Sequence, residues 1–373
     1  MMNRKLIYLM FFTFCIIYFV TGCSNTENTQ QMLSFSSIRM VDEKDGWALC
    51  NDGKVLRTID GGENWIDVTP DIGKAKKTVL GNFFLTSDIG WVALGEDYQY
   101  LTSNSSVTIR TTYNGGKNWE KADIPGQYLG AKLDFINKEI GWVELESSGG
   151  LAQQPWDIYH TKDGGKSWAE VASTGTVTNE PDSIPLSPLK GGFCFLNDSR
   201  GWVTGQPKAN GYAMLYITND GGRTWNHQDL PIPEEYQHSL ITIKAPIFFN
   251  DKDGVLPVTF DVDQLQPGIF NVFYHTNDGG MNWLINPPLN ICAPPVYDFI
   301  DSKTGWVVDG TPSTLYTTID GGKKWTNYNT DFKGISQINF VNSKVGWAIT
   351  NGTLYKTVDG GKSFNKLRVS VNY

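Results

Sequence analysis

The sequence predicts an all-β protein in which seven four-stranded antiparallel sheets form the blades of a β-propeller. Three observations predict this fold: an eight-residue motif occurs seven times, a second motif precedes each copy, and together they contain 12 of the 13 tryptophans. The repeat length of about 49 residues is typical of propellers and solenoids. Because a four-stranded unit cannot bury both faces alone, neighbouring units must stack, and seven twisted sheets close into a ring.

The first motif is an octet that begins with threonine, carries Gly-Gly at its centre and ends in an aromatic residue. Its glycines tolerate positive φ, and the acidic side chain before them can accept N–H groups of the turn, so the octet predicts a hairpin between the third and fourth strands of each blade. The seven octets are Thr58–Trp65, Thr112–Trp119, Thr161–Trp168, Thr218–Trp225, Thr276–Trp283, Thr318–Trp325 and Thr357–Phe364. The turn residues are Asp60, Asn114, Asp163, Asp220, Asp278, Asp320 and Asp359.

The second motif is a Gly-Trp pair that opens the second strand of each blade. The pairs begin at Gly46, Gly90, Gly141, Gly201, Gly254, Gly305 and Gly346, and valine replaces tryptophan in the fifth. Burying ~200 Å² per indole contributes up to about 5 kcal/mol, so we interpret the repeated aromatic residues as core. Only Trp156 lies outside both series.

The last unit shows how each blade is divided into strands. Its strands A to D are predicted at 335–341, 346–350, 353–358 and 363–369. Seven complete sets of four strands indicate that the first and last blades meet side by side, without a shared strand.

The N-terminus resembles a bacterial lipoprotein signal peptide. Arg4 and Lys5 precede an apolar run over 6–20, which is shorter than the ~20 residues that span a bilayer. Val20-Thr21-Gly22-Cys23 resembles a lipobox, so residues 1–22 are predicted to be removed and Cys23 to be lipidated. Residues 23–33 would form a polar tether and 34–373 the propeller. The alternative is an ordinary secretory signal with an incidental cysteine.

Charge and cysteine content narrow the possible partners and cofactors. Loss of Arg4 and Lys5 would take the net charge from −8 to −10. The sequence contains no cluster of basic residues of the kind that nucleic-acid-binding proteins carry, so nucleic acid is not expected as a partner. Cys50, Cys194 and Cys292 remain after the anchor, which allows one disulfide or three buried thiols. We favour buried thiols, because Cys50 and Cys194 lie in strand-like runs. No metal-ligand spacing is found, and we expect no cofactor.

The octets resemble Asp-boxes, also called bacterial neuraminidase repeats. Together with the Phe-to-Gly-Trp spacing at 135–142 and 299–306, they are similar to the photosystem II stability and assembly factor family of seven-bladed propellers, over about residues 34–371. The resemblance implies a role in assembly, with binding to a precursor reaction-centre protein. That family is understood to use an arginine-rich surface, whereas the mature chain has six scattered arginines. We therefore expect a cell-envelope protein as partner, or a glycan.

Loop lengths predict which end of the propeller binds. The A–B and C–D turns hardly vary, whereas the long B–C connections are 95–107, 144–157, 204–213 and 257–271, and the long D–A connections are 171–192 and 228–246. Both kinds of connection leave a four-stranded blade at the same end, so we expect that end to be the working face.

Aromatic residues beside carboxylates on these loops would suit a protein partner or a sugar. The ligand-binding candidates are Tyr98, Tyr100, Trp156, Tyr212 and Tyr236. Trp156 is the strongest candidate, because no repeat position requires it. Nearby acids are Glu96, Asp97, Glu146, Asp157, Glu180, Asp182, Glu234, Glu235, Asp261 and Asp263. The alternative is that the aromatic residues fold back onto the loops and the acids are solvated.

The sequence favours binding over catalysis. A sialidase needs three arginines at the ring axis, but only Arg39 lies in an innermost strand. A glycosidase that uses two loop carboxylates stays the main alternative. The sequence therefore predicts a monomeric, non-enzymatic, lipid-anchored extracytoplasmic protein that acts as a macromolecule-binding assembly factor or scaffold.

Overall fold

The computed structural model describes residues 33–71, 77–147, 155–174, 189–207, 209–262, 268–291, 295–309, 314–330 and 334–372. These residues form a seven-bladed propeller of antiparallel sheets, as predicted. In six sheets the strands follow the chain order from A to D, and blade 1 has an added strand. The predicted signal peptide over 1–22, the part of the predicted tether before Leu33, including Cys23, and Cys292 lie outside the described residues.

The strands of the first four blades have the following bounds. Blade 1 contains β1 (Phe35–Met40), β2 (Gly46–Cys50), β3 (Val55–Thr58) and β4 (Asn64–Asp67). Blade 2 contains β5 (Lys77–Phe84), β6 (Gly90–Glu96), β7 (Ser106–Thr112) and β8 (Glu120–Pro125). Blade 3 contains β9 (Tyr128–Phe135), β10 (Gly141–Ser147), β11 (Trp156–Thr161) and β12 (Ala169–Ser173). Blade 4 contains β13 (Leu189–Phe195), β14 (Gly201–Gln206), β15 (Leu215–Thr218) and β16 (Asn226–His227).

The remaining blades follow the same plan. Blade 5 contains β17 (Leu240–Ile243), β18 (Ile247–Phe248), β19 (Gly254–Val262), β20 (Gly268–Thr276) and β21 (Leu289–Asn290), with β17 and β18 sharing the innermost position. Blade 6 contains β22 (Val296–Phe299), β23 (Gly305–Asp309), β24 (Thr314–Thr318) and β25 (Thr326–Asn329). Blade 7 contains β26 (Ile335–Phe340), β27 (Gly346–Thr350), β28 (Thr353–Thr357) and β29 (Asn365–Lys366). A final strand, β30, is Ser370–Asn372, and two one-turn 3-10 helices are Tyr98–Tyr100 and Glu234–Tyr236.

The octets form the predicted C–D turns. In the first turn, Asp60 Oδ1 accepts the backbone N–H groups of Glu63 and Asn64 at 3.1 and 2.9 Å. Thr58 Oγ1 accepts the N–H of Gly62 at 3.0 Å, and Gly62 has φ +92°, a conformation that favours glycine. The acid and the threonine thus satisfy the N–H groups of a turn that makes no ladder bonds.

The indoles of the Gly-Trp motif join adjacent blades. Trp91 of blade 2 is fully buried, stacks on Phe135 of blade 3 with ring centroids 3.6 Å apart, and donates Nε1–H to Gly164 O at 2.8 Å. Equivalent bonds to an octet glycine of the following blade are Trp142 to Gly221, Trp306 to Gly360 and Trp347 to Gly61. The Gly-Trp tryptophans are therefore core, as predicted, and four of them also donate to an octet of the next blade, whereas Trp119, Trp168 and Trp325 of the octets are half-buried.

Blade 5 keeps this link without its tryptophan. Val255 stands where the other blades have an indole, and Asn286 Nδ2 donates instead to Gly321 O of blade 6 at 2.6 Å. Asn286 is 4% exposed, so this bond is shielded from water. An amide from the segment before strand D can thus replace an indole from strand B.

Closure of the ring corrects one expectation. We expected no shared strand, but β30 adds to the outer edge of blade 1 in parallel with β4, pairing Val371 with Trp65. Strand D of blade 7 is only two residues long, so the chain is free to continue to the unpaired edge of β4. Leu367, Val369 and Val371 then pack against the buried cluster that contains Trp65. The inner strands also meet, since Met40 N–H donates to Asn339 Oδ1 at 2.6 Å.

A buried carboxyl at the junction of blades 3 and 4 should make stability pH-dependent. Asp134 Oδ2 accepts the N–H of Phe195 at 2.6 Å, and burial raises the pKa of Asp134 from 3.8 to about 6. The folded state therefore holds a proton between these pH values that the unfolded chain releases. This contribution is complete below about pH 4 and is lost as the pH rises through 6.

Asp134→Asn should remove this loss of stability. Asparagine can keep the bond, as Asn339 does at the same position of blade 7. Because Asp134 keeps some exposed area, we expect a gain of about 2 kcal/mol in the free energy of unfolding at pH 7.5, and little change near pH 4. Urea unfolding at both pH values measures this difference. A variant that is less stable than the parent at pH 7.5 would contradict the assignment.

Candidate functional site

The propeller has two chemically different ends. In every blade, the N–H of the first octet glycine donates to a carbonyl of the A–B turn, as Gly61 does to Lys44 O at 2.8 Å. The equivalent donors are Gly115, Gly164, Gly221, Gly279, Gly321 and Gly360. These bonds hold the A–B and C–D turns together at what we call the turn end. Because the strands are antiparallel, the B–C and D–A connections leave from the opposite, loop-rich end.

Three of the predicted tyrosines lie exposed at the loop-rich end. Tyr98 and Tyr100 belong to the 3-10 turn after β6 and are 69% and 42% exposed. Tyr212, on the B–C connection of blade 4, is 38% exposed, and its ring stacks on His227. Its hydroxyl lies 2.6 Å from that of Tyr216, which orients the ring. These side chains are available for contact.

Trp156 is a correction to the predicted site. We expected it on an exposed loop, but it begins β11, pairs with Glu146 and is 1% exposed. Its ring belongs to the buried cluster of Trp142, Phe193 and Phe195 at the junction of blades 3 and 4. A side chain with no free surface cannot bind a ligand there, so Trp156 fills the junction between two blades.

Tyr236 is a second correction, because it is 6% exposed. It lies in the 3-10 turn before β17 and stacks on Phe260, with ring centroids 4.7 Å apart and an angle of 14° between the rings. Burial raises the pKa of its hydroxyl. The ring therefore anchors the D–A connection of blade 4 to blade 5, as in the alternative we described for loop aromatic residues.

Several predicted loop acids are engaged in hydrogen bonds. Asp157 accepts from Tyr128 at 2.6 Å and from Ser173 at 2.5 Å, and Glu96 accepts from Ser105 at 2.5 Å. Asp261 is exposed. Glu180, Asp182 and Asp263 lie outside the described residues.

An ion-pair cluster lies on the face of blade 3. Lys132 Nζ is 3.2 Å from Glu144 Oε1 and 2.6 Å from Glu146 Oε1. Glu144 is fully buried, and sequence analysis did not single it out. Burial lowers the pKa of Lys132, but the two glutamates outweigh it, so the pKa is raised and the lysine stays charged. The cluster places one ammonium between two carboxylates.

The arginines are dispersed, and three of them contact turns. Arg57 pairs with Asp88 at 3.1 Å, Arg200 donates to Gly279 O at 3.3 Å, and Arg223 donates to Asp220 O at 2.8 Å. Within the described ranges, no group of three or more His, Cys, Asp or Glu side chains could hold a metal ion. Cys50 is a buried free thiol and Cys194 a half-buried one.

The turn end carries an apolar feature that sequence reasoning missed. The residue between Thr and Asp of the octet is apolar and exposed in four consecutive blades around the closure: Ile319, Val358, Ile59 and Tyr113. Ile319 is 81% exposed. The octets of blades 3, 4 and 5 have Lys162, Asn219 and Asn277 there, so the difference was visible in the alignment of the repeats.

Comparisons with known proteins agree with the predicted resemblance. The family model described as photosynthesis system II assembly factor YCF48 matches residues 25–177. Photosystem II assembly lipoprotein Ycf48 from Synechococcus sp. (strain CC9902) is 26% identical over 175 residues, 44% of this chain and 47% of that protein. The match therefore spans about half the length of the curated relative. Within the described part of the chain, no helix has the length and apolar character needed to cross a membrane.

Two solved structures share the fold. One, described as YCF48 bound to D1 peptide, has a TM-score of 0.55 at 17% identity and covers 87% of this chain and 93% of its own. The GH74 xyloglucanase from Xanthomonas campestris has a TM-score of 0.60 at 13% identity and covers 88% of this chain and 52% of its own. These likenesses concern the fold. The chain is a seven-bladed propeller that resembles the photosystem II assembly factors.

Proposed function

We propose that this propeller is a lipid-anchored extracytoplasmic assembly factor, not an enzyme, and that it binds a cell-envelope protein through its loop-rich end. The observation that carries the proposal is the asymmetry of the two ends. Seven nearly identical turn pairs occupy one end, while the long connections and the exposed Tyr98, Tyr100 and Tyr212 lie at the other. Variable loops on a rigid scaffold are where binding residues concentrate.

The path of the chain supports a membrane-proximal partner. The N–H of Asn51, in the B–C turn of blade 1, donates to Ser34 O at 2.8 Å, so the chain enters the propeller at the loop-rich end. A tether from Cys23 to Leu33 spans at most about 35 Å when extended. A lipid on Cys23 would therefore hold this end close to the bilayer, facing proteins embedded in it.

The relatives favour a protein as the partner, and the arginines of this chain bear on how that partner would be recognised. A protein segment is favoured because one solved neighbour is described as bound to a D1 peptide. The arginines of this chain are dispersed, and Arg57, Arg200 and Arg223 are engaged at turns, so recognition here would rest on tyrosines instead of an arginine surface. Glu144 and Glu146 are ion-paired with Lys132, which supports a structural role for these carboxylates over a catalytic one.

Anchoring has a direct test. Cys23→Ala should move most of the protein from the membrane fraction to the soluble fraction, because two or more acyl chains are needed for stable anchoring. Cell fractionation followed by immunoblotting measures the distribution, and Cys50→Ala provides a matched control at a buried thiol. Retention of Cys23→Ala in the membrane would contradict lipidation at this residue.

Partner binding is tested by capture from detergent-solubilised membranes. Tyr98→Ala combined with Tyr212→Ala should reduce recovery of the main partner at least tenfold, because exposed aromatic residues dominate binding energy at interfaces. Ile319→Ala combined with Val358→Ala is the matched control at the turn end and should leave recovery unchanged. Loss of the partner only in the control variant would move the binding surface to the turn end.

A further inference from the structure

A cavity of about 260 Å³ lies between the faces of blades 5 and 6. Its lining includes Thr242 of β17, Thr259 of β19, Asn271 and Phe273 of β20, and Tyr297 of β22. The volume is just below the ~300–1,000 Å³ of pockets for drug-sized ligands, so it suits one small ring.

The repeat position that borders this cavity carries a large side chain in blade 3. Asn271 lies five residues before the octet threonine of blade 5, and Trp156 lies five residues before that of blade 3. In blade 3 the indole fills the junction with the next blade and is 1% exposed. In blade 5 the shorter asparagine borders the cavity. The two junctions share a backbone plan and differ in whether this space is filled.

The cavity wall carries polar groups whose hydrogen bonds are incomplete. Asn271 is 1% exposed; Thr259 donates to its Oδ1 at 2.7 Å, while its Nδ2 has no partner among the described residues. Exchanging the amide oxygen and nitrogen would leave the oxygen unpaired instead, so one polar atom is unsatisfied in either orientation. Tyr297, which is half-buried, also lines the cavity, and burial raises the pKa of its hydroxyl, so it stays neutral. The unpaired Asn271 amide is fully buried, and such groups are uncommon in native proteins and need an explanation.

The chemistry of the wall favours a neutral, hydroxylated ligand. The exposed lining residues Lys244 and Asp261 have opposite charges, and the buried polar groups are uncharged. A hydroxyl both donates and accepts, so it can satisfy the amide in either orientation and the phenol as well. Phe273 and two prolines, Pro257 and Pro295, add apolar surface.

We propose that the cavity between blades 5 and 6 binds one neutral sugar ring, as a free monosaccharide or as the terminal residue of a glycan. Hydroxyls of the ring pair with Asn271, Tyr297 and Thr242, and its C–H face lies against the apolar wall. This site is independent of the tyrosines proposed to bind the protein partner.

Saturation-transfer NMR on the detergent-solubilised full-length protein tests the site. The probes are glucose, galactose, mannose and N-acetylglucosamine, with glucosamine and glucuronic acid as charged counterparts. At least one neutral ring should bind, and its charged counterparts at least tenfold more weakly. If the corresponding disaccharide binds as tightly as the monosaccharide, the ligand is the terminal residue of a glycan. If only the monosaccharide binds, the ligand is a free sugar. Binding of acetamide and N-methylacetamide without any sugar would overturn the proposal in favour of a protein side chain.

Variants connect the signal to the cavity. Asn271→Trp introduces the residue found at this position in blade 3 and should abolish binding by filling the space. Tyr297→Phe should weaken binding about tenfold, and Tyr328→Phe, the same change in the outer strand of blade 6, should have no effect. Thr259→Val provides a second test if Asn271→Trp does not fold, as judged by circular dichroism. Absence of binding by all four neutral sugars, or unchanged binding by Asn271→Trp, would refute the site.

Discussion

Replacing Trp91 with alanine should lower the free energy of unfolding by about 4 kcal/mol. The indole is fully buried, it stacks on Phe135 of the next blade, and its N–H donates to Gly164 O of that blade. Alanine leaves a cavity between two blades and removes the shortest of the hydrogen bonds to Gly164 O, to which the Tyr113 hydroxyl also donates at 3.2 Å. The effect should be large because the indole supplies most of the packing of this junction.

Urea unfolding measures this loss as a lower midpoint with an unchanged slope. Trp91→Phe separates the two contributions: it keeps most of the packing and loses the bond, so about 1–2 kcal/mol is expected. Tyr98→Ala, at a side chain that is 69% exposed, should change stability by less than ~0.5 kcal/mol. If Trp91→Ala were as mild as Tyr98→Ala, the indoles would not hold the blades together.

Replacing Lys132 with methionine should destabilise the protein by about 3 kcal/mol at pH 7. Methionine fills much of the same volume but removes the charge that pairs with Glu144, which is fully buried. The pKa of Lys132 is raised in the folded state, so its stabilising contribution is complete below about pH 10.5 and is lost only at higher pH. A measurement at pH 7 therefore detects the whole effect.

A double-mutant cycle shows whether the buried charge is responsible. Lys132→Met combined with Glu144→Gln should be more stable than Lys132→Met alone, because the second change removes the buried negative charge that Lys132 neutralised. Lys121→Met breaks an exposed pair with Asp123 at 3.5 Å and should change stability by at most ~0.5 kcal/mol. Equal effects of Lys132→Met and Lys121→Met would contradict a stabilising role for the cluster.

The regular part of the fold was predictable from sequence because its signals are local. Each octet contains both its turn acid and its threonine, and each Gly-Trp pair sits at a fixed position in the blade. The closing strand was missed because its partner, β4, lies about 306 residues earlier in the chain. The apolar alternation at Leu367, Val369 and Val371 was the available signal, and its first two residues were assigned to strand D of blade 7, predicted at 363–369.

The candidate site was only partly predictable, because a loop position does not fix the exposure of its side chain. Tyr98, Tyr100 and Tyr212 are exposed as expected, but Tyr236 folds onto Phe260. Trp156 was interpreted as functional because it lies outside the repeat motifs, yet it fills a gap between blades. At the matching position of blade 5, Asn271 borders a cavity instead.

Site-specific photo-crosslinking in native membranes tests most directly whether recognition occurs at the loop-rich end. A benzophenone amino acid would replace Tyr98 or Tyr212 at that end, and Ile319 or Val358 at the turn end. All four positions are exposed, so each probe can reach a bound partner. We predict a shared protein adduct from positions 98 and 212 and none from 319 or 358. Adducts from 319 and 358 alone would contradict the account.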